Sequence, residues 1–464
     1  MTELARAAVV DAVRYFDSWL AFRQRYSRIP GIQAAVLHDD EVLLSGAYGL
    51  ADVEAGVALT SRHLFRVASH SKTFTATAVM QLVEQGELRL DDTVGPLLPF
   101  LEESPLAAVT VRELLSHGGG VVRDGWDADF WQLAHEFPDE QALRLTSLDG
   151  ADIRPANESF KYSNIGYSLL GQVVAAASGQ PYDVYVREHI VDRLGLKDTG
   201  PEYDQARAGE YATGYSALSY ADRRIPIDHV ATGAMAAATG FFSTAEDVVR
   251  YASAHFHGDQ RLLTDASKRQ MQRTEWKVDG TPTEYGLGLA VVAIGGRRLL
   301  GHSGGFPGHI TRTIFDPVDR LAVSVLTNAA DGPAEMLAAG LVRMVNLATE
   351  SDRLADPDLA RFTGRFASLG GVQDVVALGG QLYLLDPTVD DPTDAPVRLT
   401  VLDERSLRMS GGSAYRAPGE TAHYTFADDG SVASIRTGTT AYPIERVTEA
   451  AQVRQRISLG SPLV

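Results

Sequence analysis

Residues 65–85, FRVASHSKTFTATAVMQLVEQ, combine a helical pattern with a serine and a lysine at its start. Their apolar positions recur at helical spacing, and Gly86 follows as a C-cap, so the sequence predicts a helix from about residue 69 to residue 86. Ser69 and Lys72 stand three positions apart at its start, which places both side chains on one helix face, one turn apart.

This S-x-x-K pattern joins a nucleophile to a base. A serine hydroxyl attacks only when a base takes its proton, and a lysine amine can do so when burial and positive potential lower its pKa. The helix N-terminus supplies that potential, with N–H groups for an oxyanion. The alternative is that Ser69 caps the helix and Lys72 is a solvated side chain. Lys72 is the one lysine of five with a serine three residues before it, so the pattern is suggestive but not specific.

A second motif, Y-x-N, lies in FKYSNIGYSLLGQVV at Tyr162 and Asn164. A tyrosine can shuttle a proton between nucleophile and leaving group, and an asparagine amide can orient both the lysine and a substrate carbonyl. The structural alternative is a turn before a helix, with Asn164 as its N-cap. The two interpretations are compatible.

A third motif, H-x-G, is formed by His302 and Gly304 and is followed by Gly305, on a predicted strand. Glycines let a substrate lie against the strand, His302 offers a donor over the site, and the Gly305 N–H can complete an oxyanion hole. His117-Gly118-Gly119 matches the pattern too, but only the motif at residue 302 follows Y-x-N along the chain.

The same stretch, GHSGG at residues 301–305, also reads as G-x-S-x-G, the nucleophile elbow of the α/β-hydrolases, with HGGG at 117–120 as its oxyanion loop. An elbow needs a helix directly after the serine. Pro307 and Gly308, followed by β-branched alternation, predict a strand instead. A lipase of that fold acting through Ser303 is therefore a weaker alternative.

Composition restricts the chemistry and the partners. The 464 residues are 45% hydrophobic and 22% charged, typical of a globular protein with more than one domain. The net charge of −18 argues against nucleic acid and anionic membrane surfaces. The absence of cysteine excludes thiolate nucleophiles and cysteine-based metal sites. Acidic residues interrupt the N-terminal apolar pattern and no long apolar run follows, so we expect a helix there and a cytoplasmic protein without a membrane span.

The remaining pattern predicts an α+β fold. A hairpin around Asp39-Asp40 and adjacent strands between residues 285 and 328 form one antiparallel sheet. Flanking helices include an N-terminal one with the stripe Val9, Val13, Phe16 and Leu20, and a large helical insert lies between the two parts of the sheet. After a linker at 351–360, short strands predict a small all-β barrel. The predicted domains are 1–352 and 357–464.

The three motifs, in this order on one chain, resemble those of the penicillin-recognising serine hydrolases: class C β-lactamases, D,D-carboxypeptidases, D-aminopeptidases and related esterases. Segments such as VTVRELLSHGGG, GFFSTAEDVVRYA and YGLGLAV are also similar to that family, and the tail resembles a lipocalin-like domain of some cytoplasmic members. The resemblance implies the fold of the β-lactamases and penicillin-binding proteins. It also implies the following roles: acylated nucleophile for Ser69, general base for Lys72, proton relay for Tyr162, positioning group for Asn164, and an oxyanion hole from the N–H groups of Ser69 and Gly305.

Two departures from the family pattern bear on substrate choice. His302 stands where β-lactamases carry the lysine of K-T-G, which removes a cation for a substrate carboxylate. Gly118 and Gly119 replace the family's threonine and serine, which predicts a looser wall. We therefore expect hydrolysis of small esters, or of amides and short peptides that include D-residues, without a metal or organic cofactor. A non-catalytic ligand-recognition protein is the alternative from another class. Trp126, Trp131 and Tyr285 are candidate pocket residues, and a homo-oligomer is compatible with the sequence.

Overall fold

The computed structural model describes residues 6–350, 357–412 and 418–446. Its α-helices are α1 Arg6–Tyr26, α2 Ser71–Gln85, α3 Val94–Leu97, α4 Val111–Leu115, α5 Glu140–Leu148, α6 Asn164–Ser178, α7 Tyr182–Val186, α8 Asp192–Leu194, α9 Ala245–Ser253, α10 Asp265–Gln272 and α11 Ala334–Thr349. Its strands before the linker are β1 Gly31–His38, β2 Glu41–Asp52, β3 Val57–Ala58, β4 Phe65–Arg66, β5 Gly214–Tyr215, β6 Pro226–Ile227, β7 Phe242–Ser243, β8 Trp276–Lys277, β9 Glu284–Tyr285, β10 Ala290–Ile294, β11 Arg297–Phe306, β12 His309–Asp316 and β13 Leu321–Thr327. After the linker come β14 Gly364–Ser368, β15 Gly371–Leu378, β16 Gln381–Leu385, β17 Val397–Asp403, β18 Ser406–Gly411, β19 Thr421–Phe426, β20 Val432–Thr437 and β21 Thr439–Pro443.

Nine strands form one antiparallel sheet in the order β3-β2-β1-β13-β12-β11-β10-β9-β8. The hairpin β1–β2 turns at Asp39, which adopts a left-handed φ of 55° that aspartate tolerates better than most residues. β1 also pairs with β13, so that Ile32 lies opposite Thr327. Strands from the two ends of the predicted sheet therefore meet at its centre, and the predicted antiparallel α+β fold is confirmed.

Helix α2 lies in the main apolar core of this sheet domain. Phe74 is fully buried and stacks on Phe241 and Tyr251, with ring centroids 4.3 and 3.7 Å apart. Burial of one such aromatic side chain contributes about 1.5–3 kcal/mol. Gly86 ends the helix with a φ of 81°, and its N–H donates to the carbonyls of Leu82 and Val83, as the sequence predicted.

The large helical insert is confirmed between α2 and β8. It contains α3 to α10, of which α6 is the longest, and the buried residues of α6 share the apolar core with α2. This packing brings the residue pair Ser69 and Lys72 close to the N-terminus of α6.

The tail is a closed barrel of the eight strands β14–β21, completed where Phe366 and Ala367 of β14 pair with Pro443 and Tyr442 of β21. Phe366, Leu399, Leu407 and Tyr424 belong to its buried core. The predicted all-β barrel is thus confirmed.

The chain divides by its internal contacts into two compact units, Arg28–Ala338 and Met1–Ser27 with Ala339–Val464. In α1, the predicted stripe Val9, Val13, Phe16 and Leu20 is buried. The domain boundaries 1–352 and 357–464 stay a prediction, since residues 351–356 of the linker and 447–464 lie outside the described residues. In the part of the chain that the structure describes, every helix is too short or too polar to cross a bilayer.

Candidate active site

Ser69 lies at the junction between sheet and helix. A 3₁₀ turn, Ala68–His70, precedes α2, so the serine stands just before the α-helix and not inside it. Ala68 has a φ of 48°, a left-handed conformation that is uncommon for alanine and that occurs at functional sites. Ser69 is partly exposed while Lys72 is completely buried. The hydroxyl is therefore accessible and the amine is not.

Lys72 has three polar contacts. Its Nζ lies 3.1 Å from Ser69 Oγ, 2.7 Å from Asn164 Oδ1 and 2.8 Å from the carbonyl oxygen of Ala238. Burial lowers the pKa of Lys72 well below its usual value, Asp124 raises it and Arg123 lowers it. A neutral amine has two N–H donors and one lone pair. The amide and carbonyl oxygens can take both donors, which leaves the lone pair for Ser69.

Asn164 holds the lysine from α6. Its Oδ1 accepts from Lys72, and its Nδ2 donates to Asp124 Oδ1 at 2.6 Å. These two bonds fix the orientation of the amide. The N-cap of α6 is Ser163, whose Oγ accepts from the N–H of Gly166 at 2.8 Å, so the alternative that Asn164 caps the helix is wrong.

Tyr162 also contacts Ser69. Its hydroxyl donates to Ser69 Oγ at 2.8 Å. Burial raises its pKa above the usual range for tyrosine, although the hydrogen bond with Ser69 lowers it, so the phenol keeps its proton near neutral pH. Lys72 Nζ lies 4.8 Å from the centroid of the same ring. The structure thus brings Ser69, Lys72, Tyr162 and Asn164 together.

Strand β11 forms the sheet side of the site. A Cβ on Gly304 would lie 2.2 Å from the carbonyl oxygen of Val67, so only glycine allows the strand to lie this close to the Ser69 turn. Gly305 is exposed, and a Cβ there would meet only Ile310, at 3.7 Å. A side chain at position 305 would therefore fit without a clash, and the oxyanion role of Gly305 stays a prediction.

His302 lies buried beside the Ser69 turn, with both ring nitrogens engaged. Its Nδ1 lies 2.6 Å from the carbonyl oxygen of Ser303, and its Nε2 lies 3.1 Å from the hydroxyl of Tyr285. Burial, and then the charge of Lys72, hold the pKa of His302 well below its usual value. Nδ1 therefore carries the proton and Nε2 accepts from Tyr285. The predicted donation to substrate requires one of these bonds to be exchanged.

His70, directly after Ser69, ties the turn to the sheet. Its Nδ1 lies 2.9 Å from the carbonyl oxygen of Val67 and its Nε2 lies 2.9 Å from Thr313 Oγ1 on β12. Burial lowers the pKa of His70 to about 4, so the ring is neutral. A neutral histidine with these hydrogen bonds fixes the turn against the sheet without adding charge to the site.

The nucleophile-elbow interpretation of Ser303 is wrong. Ser303 lies inside β11, opposite Arg312 of β12, and the chain continues from Phe306 through a tight turn into β12. An elbow serine needs a sharp strand-to-helix turn. Ser303 occupies the middle of a paired strand and has no such turn.

The loop HGGG at 117–120 packs against other parts of the protein and supports Tyr162. The prediction that Gly118 and Gly119 loosen the wall of the site is also wrong. His117 accepts from the backbone N–H of Ser163 at 3.1 Å and packs on Tyr162, with ring centroids 4.3 Å apart. A Cβ on Gly118 would lie 2.8 Å from Trp276 Nε1. The indole of Trp276 therefore fills the space that a side chain at position 118 would take.

The three aromatic candidates lie in different surroundings. Trp126 is 97% exposed. Tyr285 is buried against His302. Trp131 packs with Phe137 and Phe306 in a cluster that contains Ala68, beside Ser69. This cluster places apolar side chains next to Ser69.

Sequence reasoning missed two residues. Asp124 fixes the amide of Asn164, and Trp276 packs against Gly118. Neither stands at a motif spacing: Asp124 lies in the loop segment VVRDGWD, and Trp276 comes more than 150 positions after Gly118. Among residues 6–350, 357–412 and 418–446, no group of three His, Asp or Glu side chains has the geometry of a metal site.

The chain is similar to several known proteins. Penicillin-binding protein 4 of Amycolatopsis lactamdurans is 28% identical over 335 residues, 68% of this chain and 85% of that protein. Esterase EstB of Burkholderia gladioli is 35% identical over 214 residues, 42% of this chain and about half (51%) of the esterase. The octameric penicillin-binding protein homologue from Pyrococcus abyssi matches in structure with a TM-score of 0.66 and 23% identity, over 92% of this chain and 99% of that one. The family model described as Beta-lactamase matches residues 16–345. The chain therefore belongs to the beta-lactamase family.

Proposed function

We propose that the protein is a serine hydrolase that works through an acyl-enzyme on Ser69. One observation carries this proposal: Ser69 Oγ lies within hydrogen-bond distance of both a buried amine, Lys72, and a protonated phenol, Tyr162. A purely structural serine has no need of a buried lysine without a carboxylate partner, because burying an amine costs free energy. Family membership and the similarity to an esterase agree with this function.

In the first step, neutral Lys72 takes the proton of Ser69 while Oγ attacks the carbonyl carbon of the substrate. The substrate oxygen then carries the negative charge, and in this proposal the N–H groups of Ser69 and Gly305 stabilise it. When the tetrahedral intermediate collapses, the bond to the leaving alcohol or amine breaks. Tyr162 gives its proton to that leaving group and recovers one from protonated Lys72.

In the second step, a water molecule takes the place of the leaving group. Its proton passes to the same base, its oxygen attacks the acyl carbon, and the bond to Ser69 Oγ breaks as the serine regains a proton. The reaction consumes one water and releases an acid and an alcohol or amine. Neither step uses a metal ion or an organic cofactor.

The finer assignment is to small esters, amides or short peptides, including peptides with D-residues. His302 is neutral in this structure and cannot supply the fixed charge of a lysine. The aromatic cluster beside Ala68 suits an apolar acyl group. The lipocalin-like nature of the barrel, cytoplasmic localisation and assembly into a homo-oligomer stay predictions.

Pre-steady-state hydrolysis of 4-nitrophenyl butyrate tests the acyl-enzyme. We expect a burst of 4-nitrophenol equal to the enzyme concentration in the wild type and in Ser303→Ala, and no burst in Ser69→Ala. A wild type without burst or turnover, which still binds acyl ligands, supports the alternative of a non-catalytic ligand-recognition protein.

A further inference from the structure

Arg123 lies beside Tyr162, and two further cationic side chains lie near it, in a chain whose net charge is −18. The guanidinium carbon of Arg123 lies 5.4 Å from the centroid of the Tyr162 ring. The pKa of Lys161 is lowered by partial burial and then by the charges of Arg123 and Arg154, so the three cations lie within electrostatic reach of one another. We call Arg123, Arg154 and Lys161 the cationic patch.

One carboxylate offsets this patch. Arg123 Nε donates to Asp124 Oδ2 at 3.1 Å, and the other oxygen of Asp124 accepts from Asn164. Arg154 donates to a neutral partner, Ser159 Oγ, at 3.1 Å. Within the described residues, neither Arg154 nor Lys161 has an ion pair. The patch therefore keeps an excess of positive charge.

Arg123 is held in place but open to solvent. Its backbone carbonyl accepts the N–H groups of Asn164 and Ile165 at the start of α6, at 2.8 and 3.1 Å. Its side chain is 63% exposed, and in the described part of the chain only its Nε donates to protein. The two terminal NH₂ groups of a guanidinium form a planar fork that matches a carboxylate.

Arg123 lies beside the residue that serves the leaving group in the proposed function. Tyr162 carries the guanidinium of Arg123 against its ring, and its hydroxyl contacts Ser69 Oγ. In the proposed function this hydroxyl protonates the leaving group. A negative charge carried by the leaving group would therefore lie next to Arg123.

We propose that Arg123 is a specificity-determining residue that binds a carboxylate on the leaving group, assisted by the field of Lys161 and Arg154. This inference rests on the proposed function and names its substrate class: esters or amides whose alcohol or amine part is anionic. The cation that His302 lacks is thus supplied by a loop before α6.

The test compares two nearly isosteric esters, the butyrates of 4-hydroxybenzoate and of 4-hydroxybenzamide, which differ in the charge of the leaving group. The quantity is the ratio of kcat/KM for the anionic ester to that for the neutral ester. We expect Arg123→Gln to lower this ratio about tenfold or more, as for loss of a charged hydrogen-bonded pair. Arg123→Lys should keep part of the ratio, and added salt should lower the ratio in the wild type.

Matched controls separate the outcomes. Arg89→Gln removes an equally exposed arginine away from the site and should leave the ratio unchanged. Rates are taken on the pH plateau, because Arg123 also lowers the pKa of Lys72, and thermal unfolding checks the fold. If Arg123→Gln lowers both rates equally, the inference is wrong while the proposed function stands. If the wild type hydrolyses neither ester and shows no burst, the proposed function fails and the inference with it.

Discussion

Lys72 Nζ lies 3.1 Å from Ser69 Oγ, and its other two polar contacts are the amide oxygen of Asn164 and the carbonyl oxygen of Ala238. Both of these oxygens are neutral acceptors, so no carboxylate of the described residues contacts the amine. Since burial disfavours the ammonium form, the amine is poised to accept the serine proton.

Removal of the base should stop acylation without unfolding the protein. Lys72→Ala is expected to lower the rate of acyl-enzyme formation about 10²–10⁴-fold, the usual contribution of a positioned base. Stopped-flow measurement of the 4-nitrophenol burst gives this rate, and circular dichroism confirms the fold. Full acylation by Lys72→Ala would refute the assignment of the base.

The pH dependence should report the lysine. Lys72 acts when deprotonated, so kcat/KM rises with pH through its pKa, which lies well below 10.5. Asp124 raises that pKa and Arg123 lowers it. Asp124→Asn should therefore move the acid limb of the profile to lower pH, and Arg123→Gln should move it to higher pH. Shifts in the same direction for both variants would contradict this electrostatic account.

Tyr162→Phe should affect poor leaving groups most. The variant keeps the ring but loses the hydroxyl that contacts Ser69 Oγ. We expect a fall of about 10²–10⁴-fold in kcat/KM for an amide or alkyl ester. The fall should be smaller for a 4-nitrophenyl ester, whose leaving group needs little protonation. An equal loss with both substrates would indicate a structural role for Tyr162 in place of proton transfer.

The two glycines of β11 should differ in their tolerance of alanine. Gly304→Ala places a Cβ 2.2 Å from the Val67 carbonyl oxygen, and such overpacking costs about 1–3 kcal/mol of unfolding free energy. Gly305→Ala meets nothing closer than 3.7 Å. Urea denaturation should show a lower midpoint for Gly304→Ala only. Equal midpoints would show that the strand can move away from the serine turn at no cost.

The main features of the fold could be predicted from the sequence because they depend on local patterns. The hairpin at Asp39, the cap at Gly86 and the strands between residues 285 and 328 each follow from spacing and turn residues within a short window. The S-x-x-K and Y-x-N motifs likewise identified side chains that contact one another. The H-x-G motif identified the strand that lies beside them.

The rest depended on contacts between distant segments, which have no signal in one sequence. The hydrogen bond from Asn164 to Asp124 and the packing of Trp276 on Gly118 each join residues that are far apart along the chain. The contact between His302 Nε2 and Tyr285 could not be predicted either, because Tyr285 lies on another strand. Sequence spacing identified side chains that contact one another in the candidate site, but not the residues that orient them.

The central claim is that Ser69 is the nucleophile, and peptide mapping by mass spectrometry after treatment with a fluorophosphonate tests it most directly. The account predicts one label per chain on the peptide that contains Ser69, present in the wild type and in Ser303→Ala and absent in Ser69→Ala. A label on Ser303, or a label that persists in Ser69→Ala, would contradict it.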